Sequence, residues 1–174
     1  MVYTRISKYD PKCRVNGIFT VDDWTSVSEI GQCFNGERLT KEQYVCVERK
    51  YADCILELCA ISGQFEYVIK SYRSSHSMRL MLNILHYTFL LERSFRLPKW
   101  HNEQLVTGDD IGLFIKDCLR ESCWGKLEGR SSYIHFGYDY YVYVGFELEA
   151  ERLLEVVNKY GLFCEWMHSP YNAN

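Results

Sequence analysis

The stretch CWGKLEGRSSYIHFGYDYYVYV, residues 123–144, decides the fold of this chain. β-Branched and aromatic residues recur along it, which predicts a strand over Cys123–Glu128, a turn at Gly129–Ser131 and a long returning strand over Ser132–Val144. Strands joined by so short a turn pair in antiparallel fashion. Gly137 interrupts the second strand and predicts a bulge or a bend within it.

Helical periodicity surrounds this hairpin. Thr40 and Gln43 fit a capping box, and the apolar spacing that follows predicts a helix over 41–61. The other predicted elements are a helix over 76–95, a helix after Thr107–Asp110, a helix over Glu147–Tyr160, and strands over Phe65–Tyr72 and Leu162–Met167. The first forty residues are predicted to be irregular, apart from a short helical turn capped at Ser26.

The order of elements, α, β, α, α, β, β, α, β, predicts an α+β fold. We expect a mainly antiparallel sheet with helices packed largely on one face. The chain has 174 residues and no internal repeat or long linker, so residues 1–174 are predicted to form a single α+β domain. Hydrophobic residues make up 47% and charged residues 25%, which is typical of a globular protein.

Charge and aromatic content narrow the class of partner. Twenty basic and 23 acidic residues give a formal net charge of −3, so the chain lacks the basic surface typical of proteins that bind nucleic acid directly. A mildly acidic balance favours a basic protein partner. Aromatic residues reach 16%, including 14 tyrosines, and tyrosine is common in recognition surfaces.

The eight cysteines indicate a reducing compartment. Met1–Arg5 leads directly into mixed polar sequence without the apolar run of a secretory signal, so we expect free thiols and a cytoplasmic location. Cys54 and Cys118 fall on the apolar stripes of predicted helices, where a thiol behaves as a small hydrophobic group. No apolar stretch approaches the length of a membrane span, so no membrane partner is predicted.

Motifs for catalysis, cofactors and metals are absent from the sequence. It contains no phosphate loop, no G-x-G-x-x-G turn, no G-x-S-x-G elbow, no C-x-x-C pair and no H-E-x-x-H pattern. We therefore assign no catalytic residue, no cofactor and no metal ligand, and predict that the chain is not an enzyme. A catalytic cysteine with a distant histidine is an open alternative, because such partners meet only in the fold.

His135 and Asp139 carry the main alternative to a pure binding role. They lie in the tyrosine-rich run 133–141, where they could act as general acid and base in an uncharacterised enzyme. They could equally border a site for a small ligand or a nucleotide, with aromatic rings stacking on a base. We favour a tyrosine-rich strand with no catalytic role, because no nucleophile or metal motif accompanies the pair.

Two acidic segments are candidate binding surfaces. Asp22 and Asp23 precede Trp24, and two acids beside an aromatic residue on a loop suit a basic partner. The competing interpretation is that Trp24 plugs the edge of the core while the two acids are solvated. Glutamates also crowd the start of the last predicted helix, where the helix dipole by itself favours acids, namely Glu147, Glu149 and Glu151.

Three stretches taken together resemble a class of bacterial protein: 23–31 (DWTSVSEIG), 135–141 (HFGYDYY) and 169–171 (SPY). In order and spacing they resemble the small immunity proteins encoded beside polymorphic or contact-dependent growth-inhibition toxins. The resemblance spans the chain from about Tyr9 onward. It implies a cytosolic protein that binds and blocks a toxin domain, often a nuclease. These proteins share no catalytic motif, so the resemblance assigns no individual residue.

The sequence therefore predicts a stoichiometric inhibitor of a cognate toxin protein, with a basic nuclease domain as the expected target. Acidic residues would speed encounter with such a target, and aromatic anchors would slow its release. The predicted contact residues are Asp22, Asp23, Trp24, Tyr138, Asp139, Glu147, Glu149 and Glu151.

Overall fold

The computed structural model describes residues 1–74 and 100–172, and within them it contains eleven strands and three α-helices. The strands are β1 (Val2–Ser7), β2 (Arg14–Val15), β3 (Ile18–Phe19), β4 (Cys33–Phe34), β5 (Glu37–Arg38), β6 (Glu66–Ser74), β7 (Leu105–Thr107), β8 (Cys123–Glu128), β9 (Ser132–Phe136), β10 (Val142–Phe146) and β11 (Phe163–Trp166). The helices are α1 (Lys41–Ile61), α2 (Asp109–Leu119) and α3 (Ala150–Lys159). The predicted helix over 76–95 lies outside the described residues.

Seven strands form one sheet in the order β11-β1-β10-β9-β8-β6-β7. Every neighbouring pair in it is antiparallel. The helices pack against this sheet around one apolar core, to which the strands contribute Leu127, Ile134 and Val144 and the helices contribute Ile55 and Phe114. The predicted α+β class, with a mainly antiparallel sheet in a single domain, is confirmed.

The predicted long strand over Ser132–Val144 is wrong. β9 ends at Phe136 and β10 begins at Val142, and the two pair with each other through a turn at 137–141. The aromatic pattern runs through the turn without a break, so it could not reveal where the chain reverses. Gly137 is not a bulge within a strand: it opens the turn, and its N–H donates a 2.8 Å hydrogen bond to the carbonyl oxygen of Tyr141.

The prediction that the first forty residues are irregular is wrong for Val2–Ser7. This segment is β1, which lies inside the sheet between β10 and β11. The rest of this region carries two small hairpins, β2–β3 and β4–β5. Each turns at an Asn-Gly pair with positive φ at both residues, Asn16-Gly17 and Asn35-Gly36, as a tight hairpin requires.

The helix predictions within the described residues are confirmed, with one shifted boundary. α1 covers Lys41–Ile61 and begins with the predicted capping box of Thr40 and Gln43. The last helix, however, begins at Ala150, because the residues that directly follow β10 form a connection rather than a helical turn. The placement of Glu147 and Glu149 in its first turn is therefore wrong: Glu149 is the N-cap residue, and only Glu151 lies in that turn.

The face of the sheet away from the helices is rich in aromatic side chains, and the segment after β11 covers part of it. His168 packs on Tyr3, with 4.2 Å between the ring centroids. Tyr171 packs edge-on against both Trp124 and Tyr143. Lys126 donates a hydrogen bond to the carbonyl oxygen of Tyr171. This segment thereby supplies one wall of the cleft described below.

Candidate binding cleft at one end of the sheet

A cleft of about 500 Å³ opens at the end of the sheet where β9 turns into β10. It is surrounded by the end of α2, the end of β6, the start of β8 and residues 25–26, which lead into a short 3-10 helix at Val27–Glu29. The described residues that line it are Thr25, Ser26, Arg73, Ser74, Cys118, Leu119, Glu121, Cys123, Trp124, Phe136, Gly137, Tyr138, Asp139, Tyr140, Tyr141 and Tyr171. Its volume lies in the range of ligand pockets, and six of these sixteen residues are aromatic.

The turn at 137–141 forms the rim of the cleft. Asp139 and Tyr140 both have positive φ, at 56° and 63°. An L-residue with a bulky side chain is disfavoured in this region of the backbone by about 1–2 kcal/mol. The surrounding structure must hold Tyr140 there, and such strain is concentrated at functional sites.

The side chain of Tyr140 holds the turn in this conformation. Its ring lies in the core and contacts the rings of Trp24, Tyr44 and Tyr51 at centroid distances of 5.0, 5.8 and 5.2 Å. The Tyr51 hydroxyl donates a 2.9 Å hydrogen bond to the backbone carbonyl oxygen of Tyr140. Tyr140 points inward, whereas Tyr138 is 81% exposed and Asp139, between the two tyrosines, is also exposed.

The loop at 22–26 borders the same cleft and is held from within. Asp23 forms an ion pair with Lys8 at 2.5 Å, and the Lys8 ammonium lies 4.0 Å from the centre of the Trp24 ring system. Burial lowers the pKa of Lys8, an effect that its pairing with Asp23 opposes. The Asp22 carboxylate accepts a 3.0 Å hydrogen bond from the backbone N–H of Asn35. Both acids therefore stabilise the loop, and Thr25 and Ser26 face the cleft.

Glu121, in the loop that ends α2, also lines the cleft. The N–H of Ser122 donates to the carbonyl oxygen of Asp117 and the N–H of Glu121 to that of Cys118, each at 3.0 Å. This is a Schellman motif, whose left-handed position is usually glycine. Glu121 occupies that position with a φ of 57°. A glutamate in a glycine position at the cleft wall is a second point of backbone strain in the site.

The eight predicted contact residues divide between the two ends of the sheet. Tyr138 and Asp139 line the cleft, and the loop with Asp22 and Asp23 adjoins it. Trp24 is only 7% exposed and packs behind the rim, in agreement with the competing interpretation that it plugs the core edge. The structure does not bring Glu147, Glu149 and Glu151 to this site, since they follow the far end of β10.

His135 and Asp139 are not partners. The His135 ring is fully buried, with Nδ1 2.8 Å from Ser169 Oγ and Nε2 2.7 Å from Glu128 Oε1. A carboxylate can only accept, so a proton on Nε2 would leave Nδ1 to accept from the Ser169 hydroxyl. This order of serine, histidine and carboxylate resembles that of a serine hydrolase. Ser169, however, is only 6% exposed and its oxygen also accepts the N–H of Tyr171, so the chain of bonds fastens the terminal segment to the sheet.

Sequence reasoning missed several residues of the cleft. Arg73, Trp124 and Glu121 come from three separate elements, and no local pattern connects them. Tyr171 belongs to one of the stretches that carried the resemblance, but nothing in that stretch indicated that it would pack beside the 137–141 turn. The described residues that line the cleft therefore include two acids, Asp139 and Glu121, and one arginine, Arg73.

The described residues form neither a metal-binding cluster nor a membrane-spanning helix. No group of three or more His, Cys, Asp or Glu side chains in residues 1–74 and 100–172 is placed to hold a metal ion. No helix of the same two ranges is long and apolar enough to cross a membrane. All eight cysteines are free thiols.

Comparison with protein-family models finds no match to this chain, and comparisons with curated proteins and with solved structures find none either.

Proposed function

We propose that this chain is a cytosolic immunity-type protein that binds and neutralises a cognate toxin domain by stoichiometric inhibition at the cleft. The observation that carries this proposal is the placement of Tyr138. It is 81% exposed at the tip of a turn, although a neighbouring tyrosine fixes that turn in the core. A large aromatic side chain held in water by a strained backbone has no evident role in folding.

An exposed tyrosine on a rigid support suits protein recognition. Tyrosine is enriched among the residues that dominate binding energy at interfaces, and it offers a large contact area with few rotatable bonds. Because the Tyr51–Tyr140 bond and the surrounding rings already order the turn, binding there loses little backbone entropy. The groove beside Tyr138 provides space for a side chain of the partner.

The charges at the rim favour a basic partner. Asp139 follows Tyr138, and Asp22 is exposed on the adjoining loop. Glu121 also lines the cleft, so among the described residues its two acids outnumber the single arginine, Arg73. With a formal net charge of −3 for the whole chain, these carboxylates would steer a cationic surface toward the cleft. A nuclease domain, which must attract nucleic acid, carries such a surface. A partner that binds the cleft through this basic surface would be inhibited, because the bound chain occludes that surface.

The test is co-expression with the product of the gene immediately upstream. We expect that product alone to arrest growth of a bacterial host, the present chain to restore growth, and the two proteins to co-purify in a 1:1 complex. If Tyr138→Ala no longer rescues growth while Phe65→Ala still does, the cleft is the surface that binds the toxin. Phe65 is a matched control because it is 60% exposed and precedes β6 at the opposite end of the sheet. Absence of both rescue and complex would overturn the proposal.

A second candidate function, binding of a small aromatic ligand such as a nucleobase, is favoured by the volume of the cleft and by its rings. Trp124, Tyr138 and Tyr171 all border a space of about 500 Å³, and bases stack on such side chains. Protein purified without denaturation would then show excess absorbance near 260 nm that is lost on unfolding and filtration. A pure protein spectrum counts against this candidate and leaves the inhibitor proposal unaffected.

A further inference from the structure

Two thiols meet in the wall of the cleft. The Sγ atoms of Cys118 and Cys123 are 3.7 Å apart, and both residues line the cleft while being largely buried. They are the one pair of cysteines joined by a hydrogen bond among the described residues. Both also belong to the apolar core, and the proposed function does not use their chemistry.

The backbone brings the two sulfurs together. Cys118 lies in the last turn of α2 and Cys123 is the first residue of β8. The Schellman bonds described above reverse the chain between them within four residues, and Glu121 holds the left-handed position of that reversal. A disulfide needs an S–S distance of about 2 Å, so the sulfurs would have to approach by about 1.7 Å from their present 3.7 Å separation.

We propose that Cys118 and Cys123 form a reversible intramolecular disulfide that alters the wall of the cleft. Both S–H bonds break and one S–S bond forms. A low-molecular-weight disulfide such as oxidised glutathione accepts the two electrons and two protons and leaves as two thiols. A thiolate of the pair first attacks the reagent to give a mixed disulfide, which the second thiol resolves. The inference does not rest on the proposed function, because it concerns the chain alone.

Burial and contact between the two sulfurs favour an internal disulfide over a stable mixed disulfide with glutathione. Burial raises the pKa of Cys118 well above the ordinary value, so the thiolate is scarce and attack by external reagents is slow. Once one sulfur has reacted, however, the other already touches it, and resolution within the pair outpaces attack by a second reagent molecule. Cys33 and Cys46 are exposed instead and should collect stable mixed disulfides. They serve as an internal comparison in the same sample.

Closing the pair would change the cleft. The end of α2 and the start of β8 must approach each other, and Leu119, Glu121 and Trp124 on these elements all line it. The segment between the cysteines would become a closed loop with less freedom to open. Amide exchange in residues 119–124 should therefore slow, while exchange in α3 stays unchanged.

The experiment is tryptic mapping of the native protein after incubation with oxidised glutathione, followed by alkylation under denaturing conditions. Trypsin cuts after Lys116, Arg120 and Lys126, so a disulfide joins the peptides 117–120 and 121–126 into one linked species. We expect this species, its loss on reduction, and at least a twofold slowing of hydrogen exchange over 119–124. No variant is needed, so failure of a mutant to fold cannot obscure the result.

Two results would overturn the inference. One is glutathione adducts at Cys33 and Cys46 without any linked 117–120 and 121–126 species, which would show that the buried pair does not react. The other is the linked species with unchanged exchange at 119–124, which would show that the disulfide leaves the cleft wall as it was.

Discussion

The Tyr51 hydroxyl donates a 2.9 Å hydrogen bond to the backbone carbonyl oxygen of Tyr140, and this bond joins the longest described helix to the rim of the cleft. Tyr51 is fully buried, so the bond is shielded from water. It lets the core determine the conformation of an exposed turn. The binding proposal depends on this link, because it holds Tyr138 in a fixed position before any partner arrives.

Changing Tyr51 to Phe should therefore destabilise the protein by about 1–2 kcal/mol, since it leaves a buried carbonyl oxygen without its donor. Urea denaturation measures the loss. The matched control is Tyr138→Phe, which removes the hydroxyl of an exposed ring and should change the free energy of unfolding by less than about 0.5 kcal/mol. Equal effects of the two substitutions would show that the Tyr51 bond does not hold the turn.

Changing Glu121 to Gly should stabilise the protein by about 0.5–1 kcal/mol, because glycine adopts the left-handed conformation without steric cost. The end of α3 provides the control. There Gly161 occupies the same position of a Schellman motif, with bonds from Gly161 to Asn158 and from Leu162 to Val157. A Cβ at Gly161 would meet no atom closer than 3.9 Å, so Gly161→Ala should cost about 1 kcal/mol through the backbone alone. Thermal unfolding shows whether each variant is more or less stable than the wild type. A loss of stability in Glu121→Gly would contradict the assignment of backbone strain at Glu121.

Asp117 should make stability depend on pH between about 4 and 6. Burial raises the pKa of its carboxyl from an ordinary 3.8 to about 6, against the opposing hydrogen bond from the Trp100 indole and the charge of Arg120. The folded state therefore binds this proton more tightly than the unfolded state. The contribution is fully present below pH 4 and is lost as pH rises through 6, by on the order of 3 kcal/mol.

The Asp117→Asn variant isolates this effect, since an amide oxygen can still accept from the Trp100 indole. Denaturant unfolding of both proteins at several pH values gives the difference between their stabilities. We expect the wild type to lose stability relative to the variant as pH rises from 4 to 7. A constant difference across that range would mean that Asp117 has no raised pKa. Glu48 and Arg120, which form a bidentate ion pair nearby, are common to both proteins.

Removing the Asp139 charge should slow association with the partner. Asp139→Asn keeps the size of the side chain, so we expect a several-fold lower association rate at low ionic strength and a smaller effect at high salt. Glu149→Gln is the control at the other end of the sheet, and stopped-flow mixing measures both. If Glu149→Gln had the larger effect, the acidic residues at the start of α3 would replace the cleft as the candidate contact surface.

Much of the fold was predictable, because its signals are local. The capping box at Thr40 and the apolar spacing after it give both ends of α1, and β8 is predicted to the residue. The 137–141 turn was not predictable, because Tyr140 adopts a left-handed conformation that its residue type disfavours. Only contacts with Trp24, Tyr44 and Tyr51, distant in sequence, make that conformation stable.

The candidate site was predictable in part. The acids and aromatic residues of 22–26 and 133–141 made both stretches candidates, and the structure brings Thr25, Ser26 and the 137–141 turn together at one cleft. The acids Glu147, Glu149 and Glu151 were also predicted contacts, but the length of strand β10 separates them from that end of the sheet. His135 was singled out with Asp139, whereas its partners are Glu128 and Ser169, which are 7 and 34 residues away. Residue type alone does not encode such long-range pairing.

The measurement that tests the central claim most directly is the affinity of the upstream gene product for the wild-type chain and for two variants, Tyr138→Ala and Phe65→Ala. Isothermal titration calorimetry gives the affinity and the stoichiometry together. A 1:1 complex that weakens about 30-fold or more in Tyr138→Ala and stays within twofold in Phe65→Ala is the predicted result, since truncating a dominant aromatic contact costs about 2 kcal/mol or more. Tight binding that both variants retain would contradict the claim that the cleft binds the toxin.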